Sequence, residues 1–361
     1  MGWGFQRPPG DTPFGLKIHR LSRRRLIMTL CATTLLGIVV TLVVVYTIAL
    51  GPIDRNSHTF MRVTIPSGAT AAQVGEILEN HHLIRNRYVF EIYTQLTNTK
   101  SRLRAGNHAL TRSLSLPQIV DSLVEGKTDD FKVTILPGLT LEQLADPSLP
   151  GSLADQGFTS AEIKRAFAAS YTAPLLSGRP VGASLEGYLH PDTYGISAVD
   201  PLETVLTMSF TEMQRIITRD NIETRLKAEG LTLHQGIILA SIVQREVSDT
   251  SVQPQVAQVF LRRLQQNMTL GSDVTFIYIA KKEGRTPSVN DPSPYNTRRV
   301  KGLPPGPIAN FNSSALAAVA NPASGDYLYF VAGDDGTTYF ARTEAEHNAN
   351  IAAHCHTLCN Q

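Results

Sequence analysis

From Leu26 to Leu50 the chain runs through 25 residues without one charged side chain. An apolar run of that length predicts a helix that crosses a bilayer. Beyond it the pattern breaks into short periodic segments. MRVTI at 61–65 alternates and predicts a strand, and Pro66-Ser67-Gly68 predicts a turn. Thr70 is placed to cap a helix carrying Val74, Ile77 and Leu78. A second helix is predicted at 87–97, a turn and strand at 104–110, a helix opened by Pro117 at 116–125, and a strand at 132–136 closed by Pro137-Gly138. From residue 139 helical periodicity takes over, at 141–145, 160–170, 202–229, 233–247 and 255–266. A loop rich in Pro, Asn and Gly covers 287–312. A helix at 313–320 and the strands YLYFVA and TTYFAR, turning at Asp334-Asp335-Gly336, complete the pattern. The fold class is therefore α+β: a tail at 1–25, a transmembrane helix at 26–50, a linker at 51–59, a small α+β module at 60–138 and a mixed α+β domain at 139–361.

Charge changes the picture at one end only. The whole chain carries +2, but residues 1–25 carry +5, which leaves −3 on the remainder. A slightly acidic body argues against nucleic-acid binding. The basic tip ahead of an apolar span instead places residues 1–25 in the cytoplasm and the body outside. SRRRLIM at 22–28 is similar to a twin-arginine export signal, and Thr47-Ile48-Ala49 offers a weak cleavage site. The apolar run is longer than a released signal requires, so the segment reads as an anchor. Of three cysteines, Cys31 sits inside the span. Cys355 and Cys359 stand in a terminal HCHTLC that has no partner ligand pair at zinc-site spacing, and it reads as an incidental tail.

Candidate chemistry starts at LASIVQRE, 239–246. Ile238, Ile242 and Val243 lie eight, four and three residues before Glu246, on the same side of the predicted helix. Glu246 therefore continues an apolar stripe, where lost hydration raises a carboxyl pKa. A raised pKa suits a general acid at neutral pH, although pairing with a surface base such as Arg245 fits the same spacing. Downstream, SPYNTRRVKGLPPGPIAN at 293–310 is stiffened by Pro and Gly and offers an aromatic face, an amide and a hydroxyl, as a sugar-binding cleft would. No HExxH, P-loop or GxGxxG pattern points to a metal or cofactor.

The order LASIVQRE, VFLRRLQQNMTLGSD, SPYNT, GLPPGPIAN, YLYFVA and EHN, with LEGYLHPDTY at 185–194, resembles the endolytic murein transglycosylase family (YceG-like, MltG) over residues 60–350. The opening strand, turn and helix of the 60–138 module resemble LysM-type peptidoglycan-binding modules; a plain structural stem is the alternative. The family resemblance implies a single-pass inner-membrane enzyme with a periplasmic body and no cofactor. It implies that Glu246 is catalytic. Ser272 and Asp273, Tyr295, Asn296 and Thr297, and Glu346, His347 and Asn348 match motifs that either touch substrate or support the cleft. Pro304, Pro305 and Gly306 match the loop-shaping positions. Two positions depart from the family: Gln244 and Val252 stand where acids are usual. They leave Glu246 as the main carboxyl candidate on its helix, with Asp249 in the loop beyond.

The implied reaction cuts the MurNAc–GlcNAc bond of nascent glycan strands and closes a 1,6-anhydro-MurNAc end, with penicillin-binding proteins as implied partners. Two alternatives stand: a non-catalytic peptidoglycan-binding scaffold, and a muramidase with Asp249 or Asp273 as its second carboxylate.

Overall fold

The computed structural model describes residues 23–57, 60–125, 130–197, 200–357 and 359; the basic tail before Arg23 lies outside the described residues. Helix α1, Arg23–Leu50, contains a 21-residue stretch, Leu30–Leu50, long and apolar enough to cross a membrane. At 1.5 Å per residue that stretch spans about 31 Å, the thickness of a bilayer core. The hydroxyls of Thr33, Thr34, Thr41 and Thr47 donate back to carbonyls three or four residues earlier. The polar side chains are thereby satisfied inside the helix, as an apolar solvent demands.

The first module pairs β1, Phe60–Ile65, antiparallel with β2, Gly106–Thr111. Between them run α2, Ala71–Asn80, and α3, Arg87–Leu96; α4, Leu116–Glu125, follows. Thr70 and Gln73 form a reciprocal capping box on α2, and the Asn86 side chain caps α3. The apolar positions of these elements meet in one core that includes Val63, Val74, Leu78, Phe90, Leu110 and Ile119. The linker is fastened to this module: Arg85 donates to the Pro52 carbonyl at 2.8 Å, and the Asp54 N–H to the Arg112 carbonyl at 3.1 Å.

Strand β3, Asp130–Thr134, was expected to close the module. It pairs instead with β4, Thr193–Ser197, a strand the sequence pattern did not reveal. Val133 and Ile135 lie with Tyr194 and Ile196 in the larger core. The Gln156 amide clips onto β3, accepting from the Thr134 N–H at 2.7 Å and donating to its carbonyl at 2.8 Å. The two bodies also touch directly. Arg62 of β1 pairs with Glu162 at 3.0 Å and lies over the Phe158 ring. Gly157, at φ +95°, runs so close to the Arg62 backbone that a Cβ there would sit 2.7 Å from it.

The large body continues with α5, Leu141–Leu144; α6, Ser160–Ala168; α7, Leu202–Arg219; α8, Ile222–Ala228; α9, Leu233–Glu246; α10, Gln253–Gln265; α11, Asp273–Lys282; and α12, Ser313–Ala320. The hairpin β5, Tyr329–Ala332, with β6, Thr338–Ala341, and then α13, Glu344–His354, complete it. The single helix expected at 202–229 is two, α7 and α8. Asn221 takes a left-handed conformation, φ 52°, between them, a position asparagine tolerates better than most residues. The break turns α8 against α9, where Leu226 fills the space a side chain at Gly236 would need. Helix α9 is buried along the whole run from Gly236 to Val243 and touches α8, α10, α11 and α12. A helix that is apolar all round belongs in the middle of a domain.

Candidate active site

Glu246 is the last residue of α9. The capping box of Thr232 and Gln235 sets the start of that helix, and Ile238, Ile242 and Val243 anchor the stripe that ends on the glutamate. The carboxyl lines a cavity of about 490 Å³ whose other walls come from α10, α11, the β5–β6 hairpin and α13. Cavities of this size are ordinary for small-molecule or oligosaccharide segments. Burial pushes the Glu246 carboxyl above its usual range, and Asp273 nearby pushes the same way. Ser272 opposes them: its Oγ–H donates to Glu246 Oε1 and favours the charged form. Arg298 and Arg263 also lower the value, but burial is the largest effect.

Ser272 is held from behind. Its carbonyl accepts from Thr275 Oγ1 at 2.7 Å and Thr297 Oγ1 at 3.2 Å, and its N–H donates to Thr297 Oγ1. Asn296 is wholly buried and donates to the Val289 and Asp291 carbonyls at 2.9 and 2.8 Å. Asn296 and Thr297 thus lie behind the cavity wall as supports. Tyr295 packs on Tyr278, with ring centroids 5.4 Å apart, and is not part of the lining either. The following residue, Arg298, does line the cavity and pairs with Asp273 through Nε and through Nη2, the latter at 3.0 Å.

Of the closing motif, His347 and Asn348 line the cavity, whereas Glu346 points elsewhere and accepts from the Arg342 N–H at 2.8 Å. Glu344, one turn from Asn348, lines it instead. His347 stacks on Tyr329 at 5.2 Å, and burial beside Arg263 holds its imidazole below the usual value. Arg263 lies under the Tyr329 ring and donates to the Leu328 and Leu270 carbonyls at 2.6 and 2.8 Å. Sequence reasoning missed Arg263, Arg298 and Glu344. Arg298 directly follows the YNT motif, Arg263 lies within VFLRRLQQNMTLGSD, and Glu344 stands two residues before EHN, so the signal in each case was adjacency to a motif.

The remaining motif residues are structural. Ser241 on α9 receives the Ile308 N–H at 3.0 Å, and the Asn310 amide bridges Leu136 and Leu139, so GLPPGPIAN is a strut across the domain. Gln244 accepts from the Asn312 N–H at 3.0 Å, and Val252 packs against the core before α10. Asp249 is held in its own turn by Ser251 and lies outside the cavity lining. Cys355 and Cys359 are joined in a disulfide. Among the described residues, one group has metal-ligand spacing: His190, Asp192 and Glu212, whose ligand atoms lie within 4.8 Å of one another. None of them lines the Glu246 cavity, and Arg215 already donates to both Glu212 oxygens at 2.8 and 2.5 Å.

The YceG-like family model matches residues 63–353. The chain belongs to the YceG-like family. Curated relatives carry the name endolytic murein transglycosylase. The Bacillus subtilis protein is 29% identical over 314 residues, 83% of this chain and 86% of its own. The Streptococcus pneumoniae serotype 2 protein is 30% identical over 338 residues, 86% of this chain but 61% of its own length. A crystal structure of a yceG-like protein from Listeria monocytogenes aligns with a TM-score of 0.54 and 28% identity, covering 80% of this chain and 98% of that one. The YceG-like match runs through Glu246, Ser272, Asp273, His347 and Asn348, all the cavity-lining residues the motifs singled out.

Proposed function

We propose that this chain is an endolytic murein transglycosylase, a lyase of peptidoglycan strands, with Glu246 as its acid and base. The observation that carries the reading is a carboxyl with a raised pKa at the head of a glycan-sized cavity, in a chain whose relatives bear that name.

Ser272 occupies Glu246 Oε1, which leaves Oε2 to carry the reactive proton. That proton passes to the glycosidic oxygen as the C1–O bond of MurNAc breaks, and the GlcNAc hydroxyl leaves. The carboxylate so formed then takes the proton of the MurNAc C6 hydroxyl while O6 bonds to C1. The result is a 1,6-anhydro ring, with no water consumed and Glu246 reprotonated. One carboxyl suffices because the substrate supplies its own nucleophile, whereas a hydrolase needs a second. Asp273, the carboxylate that acts on Glu246, is tied to Arg298, and Glu344, the third carboxylate of the cavity, stands on α13; the pairing of Asp273 favours the transglycosylase over the muramidase. Asp273 and Arg298 are proposed to orient the strand, together with His347 and Asn348.

The apolar length of α1 supports a single-pass inner-membrane anchor, and the basic residues ahead of it support a body in the periplasm, which would confine cutting to nascent strands. The strand, turn and capped helix at the start of the first module support a LysM-like glycan contact, as does a groove of about 380 Å³ over Ser67, Gln73 and Asn80. Penicillin-binding proteins as partners rest on the family resemblance alone. The test is mass spectrometry of un-crosslinked glycan strands treated with the wild type and with Glu246→Gln. Internal cuts ending in 1,6-anhydro-MurNAc, absent with the variant, are expected. Hydrated reducing ends would overturn the transglycosylase, and identical products from both forms would overturn the role of Glu246.

A further inference from the structure

A second cavity, about 420 Å³, opens on a different face of the last turn of α9. Arg245 lines it, whereas Glu246 lines the first. Helix α11 likewise serves both, giving Asp273 to the first and Tyr278, Lys281 and Lys282 to the second. At 1.5 Å per residue, Asp273 and Lys281 are about 12 Å apart along that helix.

At the base of this second cavity sits Glu186, only 5% exposed. Its oxygens accept from the Leu141 N–H at 3.2 and 3.3 Å and from the Tyr278 hydroxyl at 3.4 Å. The Lys282 ammonium donates to that hydroxyl at 3.0 Å rather than to Glu186 itself. Among the described residues Glu186 has no direct ion pair. The Thr140–Gln143 capping box at the start of α5 uses the Thr140 and Gln143 N–H groups, so Glu186 meets the remaining Leu141 N–H, a task an uncharged oxygen would serve as well. A buried carboxyl with no structural need for its charge, on the wall of a cavity, is a binding group in waiting.

The walls say what it would bind. Leu141, Ile277 and Ile308 are apolar, Lys281 and Arg245 bring positive charge, and Glu142 and Asp146 bring negative charge. Sugar hydroxyls can be met by uncharged donors and acceptors, so charges of both signs beside an apolar wall favour a charged ligand. The carboxylates of this cavity do not converge as a metal ligand set; the group that does lies elsewhere. A ligand with an ammonium, a carboxylate and an aliphatic stem matches all three kinds of wall.

We propose that this cavity holds the stem peptide of the glycan strand, with the side-chain ammonium of its diamino acid on Glu186 and a peptide carboxylate on Lys281 and Arg245. The proposal rests on the transglycosylase reading for its substrate. The reach is right: the third residue of an extended peptide lies about 10 Å along it, and its own side chain covers the rest of the roughly 12 Å separation along α11. Glu186 stands at about 7, raised by burial and by Glu142 against the lowering pull of the Leu141 N–H, Lys282 and Tyr278. An arriving ammonium favours the carboxylate, so binding near neutral pH releases a proton, and affinity falls as pH drops below 7.

The experiment is calorimetry on the full chain in detergent, with the synthetic peptide L-Ala-γ-D-Glu-L-Lys-D-Ala-D-Ala and with its Nε-acetyl-lysine form. The free peptide is expected to bind and release a proton, seen as a buffer-dependent heat. Acetylation, Glu186→Gln and Lys281→Glu are each expected to weaken it about tenfold or more, the scale of a charge-assisted hydrogen bond. Equal binding of the acetylated peptide, or full affinity in both variants, would overturn the site; two variants guard against one that folds poorly. Strands with and without stems are assayed in parallel with the wild type. Cutting of strands without any peptide binding would overturn the peptide site alone. Peptide binding without cutting would leave the site standing and overturn the transglycosylase.

Discussion

Glu186→Gln should change how stability depends on pH, and by a calculable amount. In the unfolded chain the carboxyl titrates at its ordinary 4.5; in the fold, burial raises it to about 7. Below 4.5 both states hold the proton, and the contribution to stability is fully present. Between the two values the unfolded state releases its proton while the native state keeps it, so stability falls as pH rises through about 7 and then levels off. At about 1.4 kcal/mol per pH unit the loss is about 3 kcal/mol. Gln keeps the shape and an acceptor for the Leu141 N–H but has no proton to lose. Urea midpoints followed by far-UV circular dichroism at pH 5, 6, 7 and 8 would read the difference. The wild-type curve should fall away from the variant's curve toward alkaline pH, by about 3 kcal/mol in all. Parallel curves would mean that Glu186 is solvated in the fold and would refute the argument. Glu246, also raised, contributes a fall of the same sign to both proteins and cancels in the comparison.

Other outcomes follow from the same contacts. Ser272→Ala removes the hydrogen bond that favours ionised Glu246, so the pKa of the acid should rise further and the alkaline limb of the pH–rate profile should move up. Asn296→Ala should cost about 2 kcal/mol in urea unfolding, because the buried Asp291 carbonyl and the part-buried Val289 carbonyl lose their donor, and should lower activity without touching substrate. Gly187→Ala should cost at least about 2 kcal/mol in the same assay. The residue sits at φ +78°, and its new Cβ would stand 2.4 Å from the Pro307 side chain.

What was legible in the sequence was local. Helix α9 and its terminal glutamate were readable because Thr232 caps one end and apolar spacing runs to the other. Helix α11 was not. Its residues, DVTFIYIAKK, are rich in β-branched and aromatic side chains, and the Ser272 at its N-cap makes no side-chain capping bond, its hydroxyl being turned to Glu246. Strand β4 was hidden for another reason: its partner β3 lies about 60 residues away, and TYGIS is short and carries Gly195 at its centre. For the site, motifs brought Glu246, Ser272, Asp273, His347 and Asn348 to one cavity. They could not separate the residues that line it from those, such as Asn296 and Thr297, that stand behind.

The β3–β4 ribbon also decides where the protein can be cut. A soluble fragment beginning at residue 139, after the apparent end of the first module, would leave Thr193–Ser197 as an orphan edge, with Tyr194 and Ile196 stripped of Val133 and Ile135. Such an edge invites pairing between molecules. A fragment that starts ahead of Asp130 keeps the ribbon whole but exposes the surface that Arg62 covers at Gly157 and Phe158. The natural unit for crystallisation, assay or inhibitor screening is therefore everything from β1 onward, with stem and catalytic body kept as one piece.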